Sequence, residues 1–277
     1  MTRKTSIKYF SFFLSAVVIA FCTGFAFLQV TTPSGEPLKV SETEQANNPI
    51  KPLLSADQVF GQYIENTYAA AGLADQGLSL ETFRKAVTGY HNLMSANRLS
   101  SEKSLITIVD FNQSSRNRRL WVIDLSTNQV VYNTWVAHGQ GSGLEYASTF
   151  SNTVNSFQSS LGFYLTEDTY MGKNGYSLKL QGLDAGFNTN ALDRSVVVHG
   201  APYASEGFIK ATGRLGRSQG CPALPTELNK PIINTIKGRT LLFVDGPSDS
   251  YSSAYLDSGQ AATCFVNDEA GKNHINA

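Results

Sequence analysis

The spacing of hydrophobic positions changes several times along the chain. An uncharged apolar run from Tyr9 to Leu28 comes first, preceded by Arg3, Lys4 and Lys8. Residues 31–52 then carry Pro33, Pro37, Pro49 and Pro52 among polar neighbours, which reads as a linker. Ser55 with Gln58 three later resembles a capping box. Val59, Phe60, Tyr63, Ile64 and Tyr68 follow at helical spacing, with Gly72 as the stop. A second helix places Leu80, Phe83, Ala86, Val87, Tyr90, Leu93 and Met94 on one face, with His91 at its rim. From Leu105 the period shortens. Leu105–Phe111, Leu120–Leu125 and Val130–Ala137 read as strands, the last two joined by the turn Ser126-Thr127-Asn128. Leu161–Thr166, Tyr176–Leu180, Val196–His199 and Leu241–Asp245 add four more, and Thr226–Lys237 a short helix. After Asp245 the chain turns polar, so 246–277 reads as a disordered, dispensable tail.

This order divides the chain into an export segment (1–30), a linker (31–52), a helical segment (53–102), a β-rich domain (103–245) and the tail (246–277). Basic residues before an apolar run mark an export signal. A signal core of roughly 7–15 residues and a spanning helix of roughly 20 are both compatible with Tyr9–Leu28. Gly24-Phe25-Ala26 offers a small-x-small cleavage site. Cleavage and retention as a membrane anchor through residues 9–28 therefore both stay open. The positive residues stay inside in either case, so the body is expected in the periplasm or cell envelope. Bulky Phe21 before Cys22 argues against a lipoprotein.

Composition narrows the field. Lys+Arg and Asp+Glu are both 22, so no basic stripe marks a nucleic-acid partner. The 23 glycines, 16 phenylalanines and 12 tyrosines suit a β-rich fold with many turns and an aromatic-lined groove. The loop His138-Gly139-Gln140-Gly141-Ser142-Gly143 is glycine-rich but has no lysine-serine pair, so it is not a phosphate loop. It also lacks the G-x-S-x-G elbow of serine hydrolases.

The chemistry converges on Arg217-Ser218-Gln219-Gly220-Cys221-Pro222. A lone thiol there lies 22 positions after His199-Gly200, where an apolar β-branched strand ends on an imidazole. A neighbouring imidazole is expected to lower the thiol pKa and take its proton. The backbone N–H groups of Gly220 and Cys221 are candidate donors to an oxyanion, since Pro222 has none to offer. The competing reading of Cys221 is an inert thiol or a disulfide with Cys264, and that of His199 a packed strand-end histidine. Arg214 and Arg217 are candidate partners for a substrate carboxylate. Tyr203 and Tyr176 are candidate groove aromatics. His138 either holds the glycine-rich turn or lines the groove. His138, His199 and Cys221 lack the closely spaced pair of a zinc site, so no metal is expected.

At these residues the sequence resembles the murein L,D-transpeptidases of the YkuD type, in the subgroup with an S-x-G-C-P site. His199-Gly200 and Ser218-Gln219-Gly220-Cys221-Pro222 carry the resemblance. Val136-Ala137-His138-Gly139, Phe150-Ser151-Asn152, Ser159-Ser160-Leu161-Gly162, Tyr170-Met171-Gly172-Lys173 and Gly213-Arg214-Leu215-Gly216-Arg217-Ser218 extend it over about 103–245. It implies a mostly β fold, a YkuD-like sandwich or barrel with a small N-terminal helical segment, α+β overall. It implies Cys221 as nucleophile and His199 as base, with Ser218, Gly220, Gln219 and Gly200 shaping the loop. It implies peptidoglycan stem tetrapeptides as partners, loss of the terminal D-alanine, an acyl-thioester, and a 3→3 cross-link. Resolution by water would make a carboxypeptidase, and a cross-linked substrate an endopeptidase. No cofactor is implied, and no protein partner is specified.

Two departures stand out. The more familiar pattern has histidine two before the cysteine, where this chain has Gln219. The polar residues that follow the cysteine in the family are replaced by Pro222 and Ala223, which leaves the choice of acceptor open. A function of another class, a non-catalytic peptidoglycan-binding module, would have no need of an intact Cys221/His199 pair.

Overall fold

The computed structural model describes residues 54–275. The expected export segment and linker lie outside the described residues. No helix among the described residues is long and apolar enough to cross a membrane.

Helix α1 (Ala56–Ala70) starts at the expected capping box: the Ser55 side chain accepts from the Gln58 N–H, and Gln58 Oε1 accepts from the Ser55 N–H. Helix α2 (Leu80–Ser95) is capped by Ser79. Eight strands follow: β1 (Leu105–Asp110), β2 (Leu120–Asp124), β3 (Gln129–Thr134), β4 (Gly162–Gly172), β5 (Gly175–Gly182), β6 (Val197–Gly200), β7 (Ala223–Leu224) and β8 (Leu241–Asp245). Helices α3 (Glu206–Thr212) and α4 (Thr226–Ile236) lie in the last third, and α5 (Ser258–Ile275) closes the described chain.

One mixed sheet holds all eight strands in the order β3-β2-β1-β8-β4-β5-β6-β7. Only β1–β8 and β6–β7 pair in parallel. Ala137, just past β3 at one edge, bridges Ala223 in β7 at the other. The sheet thus nearly closes on itself, and the fold is mostly β with helices, as expected.

Strands β1 and β8 are apolar at most positions because both their faces are covered. Ile106, Ile108, Leu241 and Phe243 face a core shared with α1 and α2, which also receives Trp121 and Phe163. Val109, Leu242 and Val244 face an inner core with Tyr164, Leu178, Val198 and Ile232 and Ile233 of α4. The described residues pack as one compact unit. The helical segment and the β-rich region are therefore one body, with no boundary near residue 102.

The strand expected to stop at Thr166 runs on to Gly172. Its first half is buried, and its second half alternates toward solvent as a hairpin with β5 that leaves the core. Polar residues in that half, such as Glu167 and Asp168, hide it from a pattern search.

The expectation of a disordered tail is overturned. Residues 258–275 form α5, which packs on α1 and α2 through Ala261, Ala262 and Phe265. Phe265 stacks on Tyr63 with ring centres 4.5 Å apart. The strap before it is pinned as well: Asn92 Nδ2 donates to the carbonyls of Tyr255 at 2.8 Å and Asp257 at 2.9 Å. Buried Asp184 accepts from Tyr251 Oη at 2.8 Å and Ser253 Oγ at 2.5 Å. The signal was weak because α5 meets its partners through two alanines and one ring, a patch too small to read as an amphipathic stripe.

Candidate active site

Strand periodicity aims the histidine. Val198 enters the inner core, so Val197 and His199, its neighbours on β6, point to the opposite face and line a cleft of about 580 Å³. Parallel pairing of β6 with β7 sets His199 level with Ala223. Cys221, two residues earlier, therefore comes beside Val197. The Val197 N–H donates to Cys221 Sγ at 3.5 Å, and the thiol donates to the Ser195 carbonyl at 3.6 Å. Cys221 and His199 line the same cleft. No disulfide joins Cys221 to Cys264, and both are free.

His199 is 4% exposed, and its Nδ1 lies 3.0 Å from the Gly200 carbonyl. That oxygen can only accept, so Nδ1 carries the proton and Nε2 keeps its lone pair. Gly200 thus orients the base through its backbone. Burial lowers the His199 pKa below its ordinary 6.5. The Gly200 hydrogen bond opposes this, and the Lys173 charge adds to it.

The thiol departs from expectation. Burial raises its pKa above the ordinary range, although the Val197 N–H, Arg194 and Lys173 each favour the anion. The pair at rest is a thiol and a neutral imidazole, not an ion pair.

The loop around the cysteine is held by Ser218, whose hydroxyl donates to the Cys221 carbonyl at 2.6 Å and accepts from the Gly220 N–H at 3.0 Å. That second bond corrects one expectation: the Gly220 N–H is already paired and is not a free oxyanion donor. Gly220 is needed for shape. Its φ is +119°, and a Cβ there would stand 2.8 Å from the Gln158 carbonyl oxygen. Gln219 is exposed on the cleft, and so is available to a ligand.

The proposed substrate-binding residues divide. Tyr203 and Arg217 line the cleft. Burial, with a smaller contribution from nearby Cys221, pushes the Tyr203 phenol up to about 12, so it stays a neutral donor. Arg217 rests its Nη1 on the carbonyls of Gln140 at 3.3 Å and Gly143 at 3.0 Å. Arg214 does not line the cleft and instead donates to the Leu215 carbonyl at 2.7 Å. Tyr176 is also outside it, with its hydroxyl on Asn234.

His138 is fully buried and is absent from the cleft wall. Arg119 Nη2 donates to its Nδ1 at 2.8 Å. Burial first, and the Arg119 charge second, drive the His138 pKa down to about 3. Buried Arg119 also donates to the carbonyls of Val136 and Gln113 and lies over the Phe111 ring, at 4.8 Å to its centre. Together these two side chains back the glycine-rich loop, which meets Ser218 at Gly139. Of the two readings of His138, the loop-holding one fits. The set His138, His199 and Cys221 is not assembled around one space.

Sequence reasoning missed two cations on the cleft. Arg194 donates to the carbonyls of Ser151 at 2.6 Å and Gln158 at 2.5 Å, and to the hydroxyls of Ser156 and Ser160, which fastens the 151–160 loop behind Gly220. Lys173 sits at the tip of the β4–β5 hairpin. Arg194 belongs to no spacing pattern, and Lys173 entered the sequence reading only as the end of the Tyr170-Met171-Gly172-Lys173 stretch, with no role assigned. A second groove of about 390 Å³ adjoins the cleft and shares Tyr170, Ser195 and Val197 with it.

The family model for the L,D-transpeptidase catalytic domain matches residues 74–244. No curated protein matches the chain. Solved structures show low similarity. An L,D-transpeptidase from Mycobacterium smegmatis is 11% identical over 52% of this chain and 59% of that one, at a TM-score of 0.34. The helical cell shape determining protein Pgp2 from Campylobacter jejuni is 11% identical over 66% and 64%, at 0.39. An L,D-transpeptidase from Mycobacterium tuberculosis is 15% identical over 52% and 58%, at 0.31. The chain spans less than two thirds of the length of each.

Proposed function

The chain belongs to the L,D-transpeptidase catalytic-domain family, and from that membership we propose that it is a cysteine acyltransferase of the cell envelope acting on peptidoglycan stem tetrapeptides. The observation that carries the reading is the β6–β7 register, which brings Cys221 Sγ and the His199 imidazole to one cleft. His199 Nε2 takes the thiol proton as sulfur attacks the carbonyl carbon of the third stem residue. The N–H of Cys221 stands beside the developing oxyanion, and Tyr203 is a neutral donor near the sulfur. The C–N bond breaks, and the terminal D-alanine leaves with the proton that His199 returns. The amine of a second stem then attacks the thioester, its proton passes through His199 to the sulfur, and a 3→3 cross-link results.

Water in place of the amine would give a carboxypeptidase. The adjoining 390 Å³ groove favours the amine, because it offers a second chain a bed beside the thioester. Defined tetrapeptide muropeptides, incubated with the full-length protein and read by mass, test this. A dimer that has lost one alanine is expected. Tripeptide alone would replace transfer by hydrolysis, and no thioester and no product would overturn the enzyme reading.

The acid limb of acylation should lie below the ordinary histidine value of 6.5. The sign follows from the active form. Neutral His199 is the base, and burial holds it neutral to lower pH than a free imidazole. The second-order rate of thioester formation, followed across pH by intact mass, reports the pKa of the free enzyme. A midpoint at or above 6.5 would mean that another group governs the step.

A further inference from the structure

Three cationic side chains line the cleft, and they are not equivalent. Arg194 is spent on the carbonyls and hydroxyls of the 151–160 loop. Arg217 is tied by Nη1 to the glycine-rich loop, where its charge bears on buried His138. Lys173 differs from both. It is exposed at a two-residue turn, Lys173-Asn174, between the paired Gly172 and Gly175. Among the described residues no carboxylate forms an ion pair with it. The β5–β6 register sets Ser177 beside His199, so the hairpin tip that carries Lys173 lies at the His199 end of the cleft.

We propose that Lys173 is the specificity residue that receives the free α-carboxylate of the substrate's terminal residue. The proposal rests on the reading of the cleft given above and narrows it. In a tetrapeptide the leaving amine and the terminal carboxylate are attached to the same carbon. The group that protonates the amine and the group that holds the carboxylate must therefore be neighbours. His199 and Lys173 are that pair. An ammonium placed there accepts substrates in which one residue with a free carboxylate follows the scissile bond. It disfavours an internal bond in a cross-link, where an amide stands in that place. Arg214 and Arg217, the carboxylate partners suggested by sequence, fit less well: the first is outside the cleft, and the second is held by Nη1 on the Gln140 and Gly143 carbonyls at the glycine-rich loop.

The test compares a stem tetrapeptide with its C-terminal carboxamide, using the full-length protein and kcat/KM for thioester formation. The parent should prefer the free acid by on the order of 10–100-fold, the worth of a charge-assisted hydrogen bond. Lys173→Met should lose that preference by slowing the acid far more than the carboxamide, and Lys173→Arg should restore most of it. The melting temperature should not move, since the side chain is exposed and unpaired, so a folding defect cannot mimic the result. An unchanged acid-to-amide ratio in Lys173→Met, or a ratio that collapses only in Arg217→Met, overturns the proposal while leaving the transferase reading intact. A parent that acylates neither peptide removes both.

Discussion

Cys221→Ala is expected to abolish thioester formation and turnover, and His199→Ala to slow acylation by on the order of 10²–10⁴-fold, the usual worth of a positioned acid/base. The two effects differ in kind. Without sulfur there is no covalent route. Without the imidazole a small thiolate fraction still reacts. That fraction is small here because burial raises the thiol pKa, and the Val197 N–H, Arg194 and Lys173 do not offset it. The proton must therefore be removed during attack. The Gly200 carbonyl fixes the His199 tautomer that can do so. No second imidazole stands ready: His138 is buried, and its Nδ1 is engaged by Arg119. Gln219→Ala should cost less than either, because Gln219 cannot titrate and sits exposed on the cleft. Intact mass after exposure to a tetrapeptide reads all three. An adduct mapping to Cys221 is expected in the parent, slow in His199→Ala and absent in Cys221→Ala. Full turnover by Cys221→Ala would sink the cysteine mechanism. An undiminished rate in His199→Ala would remove its role as base.

The difference between Ser218 and Lys173 explains how much of the site could be read in advance. Ser218, Gly220 and Cys221 act through local geometry, a tight loop closed by one hydroxyl, and such geometry demands particular residues at fixed offsets. The His-Gly step was legible for a similar reason, since a β-branched strand that stops on an imidazole is a local pattern. Lys173 lies at the tip of a hairpin whose outer half carries no buried residue, so no core pattern points to it. Arg194 is fixed by carbonyls more than 30 positions away in sequence. Strand β7 has two residues, too few for any period to register. For the same reason, the sheet order and the Ala137–Ala223 closure could not be foreseen. The thiol pKa was misjudged because the motif announces a base nearby, while desolvation depends on everything packed around it.

Truncation after Gly246 is expected to unfold the protein or lower its melting temperature by more than 10 °C, whereas Cys264→Ser should leave it within about a degree or two. The removed segment supplies Tyr251, Tyr255, Leu256, Phe265 and the buried Ala261 and Ala262 to the outer core. Partial burial of four large side chains contributes on the order of 1–2 kcal/mol each. Their sum is comparable with the roughly 5–15 kcal/mol that holds an ordinary domain together. Truncation also strips polar partners from groups that remain. Asp184 would keep its bond from the Phe163 N–H, at 2.7 Å, but lose both hydroxyl donors. Asn92 would lose both carbonyls that its amide serves. Phe60, Tyr63 and His91 would lose the Phe265 ring against which they pack. Cys264, next to that ring in sequence, is a free, partly buried thiol, so losing its sulfur alone removes no constraint. Thermal melts of the two variants beside the parent decide the matter. A truncated protein that melts within two degrees of the parent would mean that α5 is an ornament on a core complete without it.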